Sequence, residues 1–258
     1  MKLATWNVNS IRARTEHVMR FLRARQPDML FLQEIKCEAA AFPSAVFEEA
    51  GYRAVVVGQK SYNGVAALSR IPFSLTHRCL PGEDEAQAAA RYVGVEAEGL
   101  AIGGLYLPNG NSGGEAGYQA KLDWMDRLNA RAAALVAAET PCLFLGDFNV
   151  CPEDRDYAPG TLGADDALVR APTRERFRQL QWMGFTDAVR AMQPDGPAYT
   201  FWDYQAGAWQ KDRGLRIDHA MLSPAVAERL VTVTRCREER GQTQPSDHVP
   251  VIVELSPA

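Results

Sequence analysis

Cys142-Leu143-Phe144-Leu145-Gly146-Asp147-Phe148-Asn149 is the stretch that decides how this chain folds. Four apolar residues behind Pro141 read as a strand buried on both faces. The strand then ends abruptly in a carboxylate and a carboxamide. An unpaired Asp147 inside the protein would be costly, so it is expected to face a cation, a polar partner or solvent.

The same construction recurs outward along the chain. Lys2-Leu3-Ala4-Thr5-Trp6 ends at Asn7-Val8-Asn9, and Met29-Leu30-Phe31-Leu32 ends at Gln33-Glu34. Ser246-Asp247-His248 immediately precedes Val249-Pro250-Val251-Ile252-Val253, and Ile217-Asp218-His219 opens Ala220-Met221-Leu222. Taken singly, each is ordinary turn chemistry. Five strand ends that all carry oxygen or imidazole groups point to one convergent site.

With 258 residues, no Gly/Ser-rich linker, no charge block and no fixed-period repeat, residues 1–258 are expected to form a single domain. An apolar share of 47% excludes wholesale disorder. The chain opens directly on a strand, without a basic region and apolar core of the secretory kind, and no apolar run is long enough for a membrane. A cytoplasmic monomer with no membrane partner is expected. Cys37, Cys79, Cys142, Cys151 and Cys236 are scattered and odd in number, which argues for reduced thiols and against a disulfide framework or zinc site. A net charge of −4 weighs weakly against nucleic acid, because patches matter more than totals. Arg12 and Arg14 follow the first polar tip, and Lys211, Arg213 and Arg216 lead into Asp218.

Strand signals fall at 2–7, 29–34, 53–58, 64–69, 91–97, 100–107, 142–147, 199–203, 216–222, 229–235 and 249–255. Helical periodicity is clearest over 117–138, where Tyr118, Leu122, Met125, Leu128, Ala132 and Leu135 recur every three or four positions. Shorter helices are expected at 11–25, 43–50, 174–183 and 186–192. Residues 53–58 and 64–69 flank a short turn and read as an antiparallel hairpin. The pattern predicts an α/β protein with two mixed sheets packed together and helices outside. Two loops, 109–114 and 152–172, leave the strand ends and have the length of functional loops.

Asn7, Glu34, Asp147, Asn149 and Asp247 offer hard oxygen donors, which select Mg²⁺ or Mn²⁺ over zinc, with His248 as an imidazole beside them. Such sites act on phosphate esters: the ion polarises a phosphoryl oxygen and stabilises the leaving alkoxide. His248 can hydrogen-bond a phosphate or move a proton, and an acidic partner such as Asp218 would orient its ring and raise its pKa. Tyr106 supplies a phenol for developing charge. His219 is expected to be structural, because neighbours on a strand face opposite sides.

These residues sit inside longer blocks. They are Thr5-Trp6-Asn7-Val8-Asn9-Ser10-Ile11-Arg12-Ala13, Leu32-Gln33-Glu34-Ile35-Lys36, Asn63-Gly64-Val65-Ala66 and Tyr106-Leu107-Pro108-Asn109-Gly110. Gly146-Asp147-Phe148-Asn149-Val150, Tyr199-Thr200-Phe201-Trp202-Asp203-Tyr204, Arg213-Gly214-Leu215-Arg216-Ile217-Asp218 and Pro245-Ser246-Asp247-His248 complete the set. Together they resemble the exonuclease III family of apurinic/apyrimidinic endonucleases, within the endonuclease/exonuclease/phosphatase superfamily. The 146–149 and 246–248 blocks alone would indicate only the superfamily; the 199–204 and 213–218 blocks are specific to the DNA-repair branch.

The resemblance implies a four-layered α/β sandwich with a magnesium site at one edge of two sheets. It implies Glu34 as principal metal ligand and Asp147 positioning or deprotonating the attacking water, with Asn149 helping to orient it. His248 would contact the scissile phosphate backed by Asp218, Asp247 would lie close to the metal, and Asn7, Tyr106 and Asn109 would surround the phosphate. Asn9 and Arg12 are expected on the substrate as well. Aspartate, histidine and metal-bound water all stay open as the general base.

The implied reaction is hydrolysis of duplex DNA 5′ to an abasic site, leaving a 3′-hydroxyl, with exonuclease and 3′-end-cleaning activity alongside. A sugar without its base can flip into a small apolar pocket, for which Phe201, Leu215 and Ile217 match the family positions, while Trp202 reads as core. Leu215 stands where some relatives carry tryptophan. Ser112 lies where some insert a large side chain into the duplex, so no strong wedge is expected. A relative acting on another phosphate ester gives no reason for the 199–204 and 213–218 blocks. A non-catalytic relative should show broken ligands, and these are intact.

Overall fold

The computed structural model describes residues 1–257. Its strands are β1 Lys2–Asn7, β2 Met29–Gln33, β3 Arg53–Val57, β4 Val65–Ser69, β5 Ser74–His77, β6 Tyr92–Ala97, β7 Leu100–Tyr106, β8 Cys142–Asp147, β9 Thr186–Asp187, β10 Asp218–Leu222, β11 Leu230–Arg235 and β12 Val251–Leu255. Its helices are α1 Ile11–Arg25, α2 Ser44–Glu49, α3 Gly114–Ala137, α4 Ala171–Trp182, α5 Ala188–Met192 and α6 Pro224–Ala227. The strands form two six-stranded mixed sheets, ordered β11-β12-β1-β2-β4-β3 and β5-β6-β7-β8-β10-β9.

Each sheet has one parallel pair at its centre, β1 with β2 and β7 with β8, and antiparallel strands around it. Parallel neighbours need a long crossover, and here α1 and α3 supply it. The C-terminal ends of all four parallel strands therefore lie at one edge, where ligand crevices of such sheets form.

Four layers result. Between the sheets, Leu3, Phe31, Ala67 and Val253 meet Val95, Ile102, Leu143, Leu145 and Ala220. On the outer face of the first sheet, Trp6, Leu30 and Leu32 pack against Val18, Phe21, Leu22 and Phe47 of α1 and α2. On the outer face of the second, Tyr92, Phe144 and Met221 pack against Trp124, Met125, Leu128 and Phe177 of α3 and α4. Each such side chain contributes about 1.5–3 kcal/mol when fully buried. The expected α/β sandwich, with helices outside two face-to-face sheets, is what the chain forms.

Gly146 shows how the backbone prepares the site. Its φ is 149°, and a Cβ there would stand 2.0 Å from the carbonyl oxygen of Leu105 on β7. A side chain immediately before Asp147 would push β8 off its parallel neighbour.

Several elements differ from the sequence reading. Residues 199–203 form no strand: Phe201 makes one isolated antiparallel bridge to Leu215 and one to His248, and the pairing extends no further on either side. β5 was not expected; it is four residues of alternating exposure without a sustained apolar signal. The expected helix at 186–192 begins at Ala188, because Thr186–Asp187 pairs with β10 and the Asp187 side chain accepts the Arg190 N–H as the cap. The expected helix at 174–183 starts earlier, at Ala171, with Pro172 in its first turn where no N–H is required. The five cysteines are all unpaired. Among the described residues no helix is long and apolar enough to cross a membrane.

Candidate active site

Strand register brings the polar tips together. On the second sheet Asp147 at the end of β8 stands opposite Tyr106 of β7 and opposite Asp218 of β10. On the first, Asn7 ends β1 beside Gln33 of β2, and the chain then turns through Glu34 in the left-handed region, φ 49°. Ser10 donates its N–H to the Glu34 carbonyl at 2.7 Å, which fixes one tip to the other.

Asn7 joins the two sheets. Fully buried, it donates through Nδ2 to Glu34 Oε1 and to Asp147 Oδ2, both at 2.9 Å. Its Oδ1 accepts the Asn9 N–H at 3.1 Å, so the oxygen expected to ligate a metal is turned to the backbone. In this arrangement Asn7 is a bridge between carboxylates.

His248 lies between two carboxylates. Its Nδ1 contacts Asp218 Oδ2 at 2.8 Å, and its Nε2 faces Asp147 Oδ2 at 3.7 Å. Thr200 Oγ1 donates to the same Asp218 oxygen at 2.6 Å, and Phe201 packs edge-on against the imidazole with centroids 4.9 Å apart. Burial opposes charging the ring, but Asp218 and Asp147 outweigh it and raise His248 to about 10. Burial also raises Asp147, against the pull of the His248 charge. Tyr106 is raised well above the usual phenol range by burial and then by the charges of Glu34 and Asp147, so its hydroxyl stays protonated. Glu34 is held low despite its burial by hydrogen bonds from Asn7 and Lys36, whose Nζ lies 2.9 Å from Oε2.

The donor set fits a hard divalent cation. One atom each from Asp147, Asp218 and His248 lie within 4.8 Å of one another. With the imidazole charged, only the carboxylates can give oxygens to an ion, and Asp218 Oδ1 is buried without a partner among the described residues. Glu34 and Asp147 converge on one Asn7 amide. The Glu34 side chain keeps 20% exposure, whereas Asp147 keeps 2%. Glu34 is therefore the carboxylate with access to the waters that magnesium usually retains.

Asn149 follows Asp147 with φ 48° and is locked from several sides. Its N–H bonds Asp147 Oδ1 at 2.9 Å, its Nδ2 donates to the Leu107 carbonyl at 2.8 Å, and its Oδ1 accepts Asn109 Nδ2 at 3.1 Å. Beside the imidazole opens a cleft of about 310 Å³, lined by Phe201 and Leu215 together with Leu162, Asp203, Gln205 and Arg213.

Some expected residues stand elsewhere. Asp247, like Glu34, lies outside the group of Asp147, Asp218 and His248; its Oδ1 accepts Asn9 Nδ2 at 3.2 Å and Ser246 Oγ at 3.3 Å. Alternation along this segment turns His248 inward and leaves Asp247 against the Asn9 loop. Ile217 is buried in a small apolar cluster with Cys151, Leu168 and Leu215 and does not line the cleft. Asn9 lies at the rim, and Arg12 is exposed on the first turn of α1. His219 bonds Arg216 and the Val150 carbonyl, Trp202 is buried core, and Ser112 is exposed at a loop tip.

Sequence reasoning gave no role to Thr200 or Lys121 and favoured a solvated surface cation for Arg216. Thr200 caps Asp218, and its signal was only a hydroxyl beside Phe201. Arg216 is fully buried between Asp156 and Asp187, contacting them at 2.7 and 2.6 Å. Lys121 is fully buried on the apolar stripe of α3, three residues after Tyr118; a lone lysine at a core position was the available signal.

The model of the Endonuclease/Exonuclease/phosphatase family matches residues 4–248. The chain is 32% identical to exodeoxyribonuclease III of Haemophilus influenzae, over 99% of this chain and 100% of that protein. It superposes on the structure of an AP endonuclease from Archaeoglobus fulgidus with a TM-score of 0.92 and 32% identity, covering 99% of both chains. A 3′ phosphatase from Neisseria, bound to a product DNA hairpin, gives a TM-score of 0.91 and 33% identity, again over 99% of both chains.

Proposed function

This chain belongs to the endonuclease/exonuclease/phosphatase family, in its exodeoxyribonuclease III branch, and on that premise we propose a metal-dependent phosphodiesterase that repairs duplex DNA. It cuts the backbone 5′ to abasic sites and trims or cleans 3′ ends. The observation that carries this reading is His248 held between Asp218 and Asp147, with Asn7 linking Asp147 to Glu34.

The scissile phosphate would lie between the Glu34–Asn7 pair and His248. Asp147, made more basic by burial, takes the proton from the attacking water, whose orientation Asn149 completes. Charged His248 donates from Nε2 to a phosphoryl oxygen, while Asp218 on Nδ1 fixes the ring and sustains its charge. Neutral Tyr106 donates its hydroxyl toward charge that develops on the phosphorus oxygens. Water oxygen bonds to phosphorus, the P–O3′ bond breaks, and a proton returns to the leaving 3′-oxygen. Mg²⁺, with Mn²⁺ as the alternative, would be held chiefly by Glu34 and would polarise the phosphate and stabilise that leaving oxygen.

The Phe201–Leu215 cleft beside the imidazole is placed to take a sugar flipped from the duplex, which favours a nucleotide that has lost its base. Asn9, Arg12 and Asn109 would meet the backbone around it. The partner is thus duplex DNA with abasic sites or blocked 3′ ends, bound by a monomer.

The test is cleavage of a labelled duplex carrying one tetrahydrofuran abasic analogue, with Mg²⁺ or EDTA, beside an undamaged duplex. Metal-dependent nicking 5′ to the analogue supports the reading. Stepwise shortening from 3′ ends without nicking would make end processing the main activity. No cleavage with either metal overturns it.

A further inference from the structure

Lys121 lies in the middle of α3, on the face that carries Tyr118, Leu122 and Met125 into the core, and it is fully buried. A buried ammonium is expensive unless its donors are satisfied. Here Nζ donates to the Asn109 carbonyl at 3.0 Å and to the Asn149 carbonyl at 2.6 Å. These carbonyls belong to two different loops, one leading from β7 into α3 and the other leaving β8.

The side chains of the same two residues meet on the site side, Asn109 Nδ2 to Asn149 Oδ1 at 3.1 Å. One buried lysine Nζ and one amide pair thus clamp both loops. Asn149 has little freedom left, because its N–H is on Asp147 and its Nδ2 on Leu107. Gly110 completes the cradle: a Cβ there would come within 2.7 Å of Lys121 Cδ. Leucine or methionine at this core position would avoid the desolvation cost of an amine but would leave the Asn109 and Asn149 carbonyls without this donor. The lysine is therefore explained by those two carbonyls and not by apolar packing.

We propose that Lys121 is a positioning residue for phosphodiester hydrolysis, acting through Asn149 and Asn109 by holding their backbones where the two carboxamides face the reacting phosphate. This rests on the phosphodiesterase reading of the site. The lysine does not touch DNA; it sets the geometry of groups that do.

A double-mutant cycle tests it, with wild type, Lys121→Met, Asn149→Ala and the combination assayed on the tetrahydrofuran duplex with Mg²⁺. Lys121→Met should lower kcat by ~10–100-fold, the scale of a misplacement of about 1 Å. Its KM should stay close to wild type, the protein should remain folded with a lowered melting temperature, and Lys121→Arg should recover part of the turnover. In the Asn149→Ala background the same substitution should cost clearly less than in wild type, because one of the two carboxamides it positions is gone. Unchanged kcat in Lys121→Met, or losses that multiply in the combination, would overturn the proposal. So would a Lys121→Met protein that has lost its fold, since the charge would then serve stability. An inactive wild type would instead sink the reading of the site itself, and this proposal with it.

Discussion

His248 and Asp147 face each other nitrogen to oxygen across 3.7 Å, too far for a direct hydrogen bond, while the far side of the imidazole is bound tightly to Asp218. That gap gives both groups a common space on the substrate side. His248→Asn should therefore lower kcat by about 10²–10⁴-fold, the usual contribution of a positioned acid or base. DNA affinity, measured by fluorescence anisotropy in EDTA, should change only a few-fold. A pure binding defect would remove His248 from the chemistry.

The same pair makes a pH prediction for the metal-free protein. His248 is raised above the ordinary imidazole value near 6.5 by Asp218 and Asp147, so the folded state holds the proton more tightly than the unfolded chain. The stabilisation is fully present below about pH 6.5 and is lost as pH rises toward about 10. Urea midpoints across that window should fall in wild type more steeply than in His248→Asn. Parallel slopes would count against the raised value.

Glu34→Ala should abolish cleavage by about a thousandfold, the equivalent of several kcal/mol of lost metal assistance. Calorimetric titration with Mg²⁺ or Mn²⁺ should lose its heat at the same time. Because Glu34 is partly exposed, the melting temperature without metal should hardly move. Retained metal-dependent cutting would place the ion elsewhere.

Leu215→Trp should narrow the cleft that Leu215 and Phe201 line. A sugar without its base still fits, whereas an intact nucleotide fits less well. The ratio of nicking at tetrahydrofuran to 3′ shortening, followed on one duplex, should rise by roughly tenfold, about 1.4 kcal/mol of discrimination. A falling ratio would mean the cleft does not receive the flipped residue.

Arg216→Met should destabilise the fold by about 3 kcal/mol, because Asp156 and Asp187 would be left as buried charges with too few partners. Both carboxyls are held below their usual range, against their burial, by Arg216 together with Arg190 and His219. Their stabilisation is present above about pH 3.9 and is lost as pH falls through the depressed folded values. Wild type should accordingly resist acid unfolding better than the variant, as circular dichroism against pH would register.

The sheets and the polar tips were legible because both are local patterns. An apolar run that ends in Asp147, Glu34 or Asn7 carries its meaning within about six residues, and several such runs share one explanation. Residues 199–203 misled because Tyr199, Thr200, Phe201 and Trp202 favour strands by type, while only Phe201 is bridged, to Leu215 on one side and to His248 on the other. The orientation of Asn7, the turn that points Asp247 at Asn9, and the burial of Lys121 and Arg216 depend on partners distant in sequence. No window along the chain contains them.

The strand that follows His248, β12, is inserted between β11 and β1, so it completes a sheet that β1 begins. A ribosome making this protein has already released Asn7, Glu34 and Asp147 before it reaches the imidazole. The growing chain thus holds most of a nuclease while lacking the group that grips the phosphate. Cutting ability arrives together with closure of the first sheet, once β12 is seated between β11 and β1.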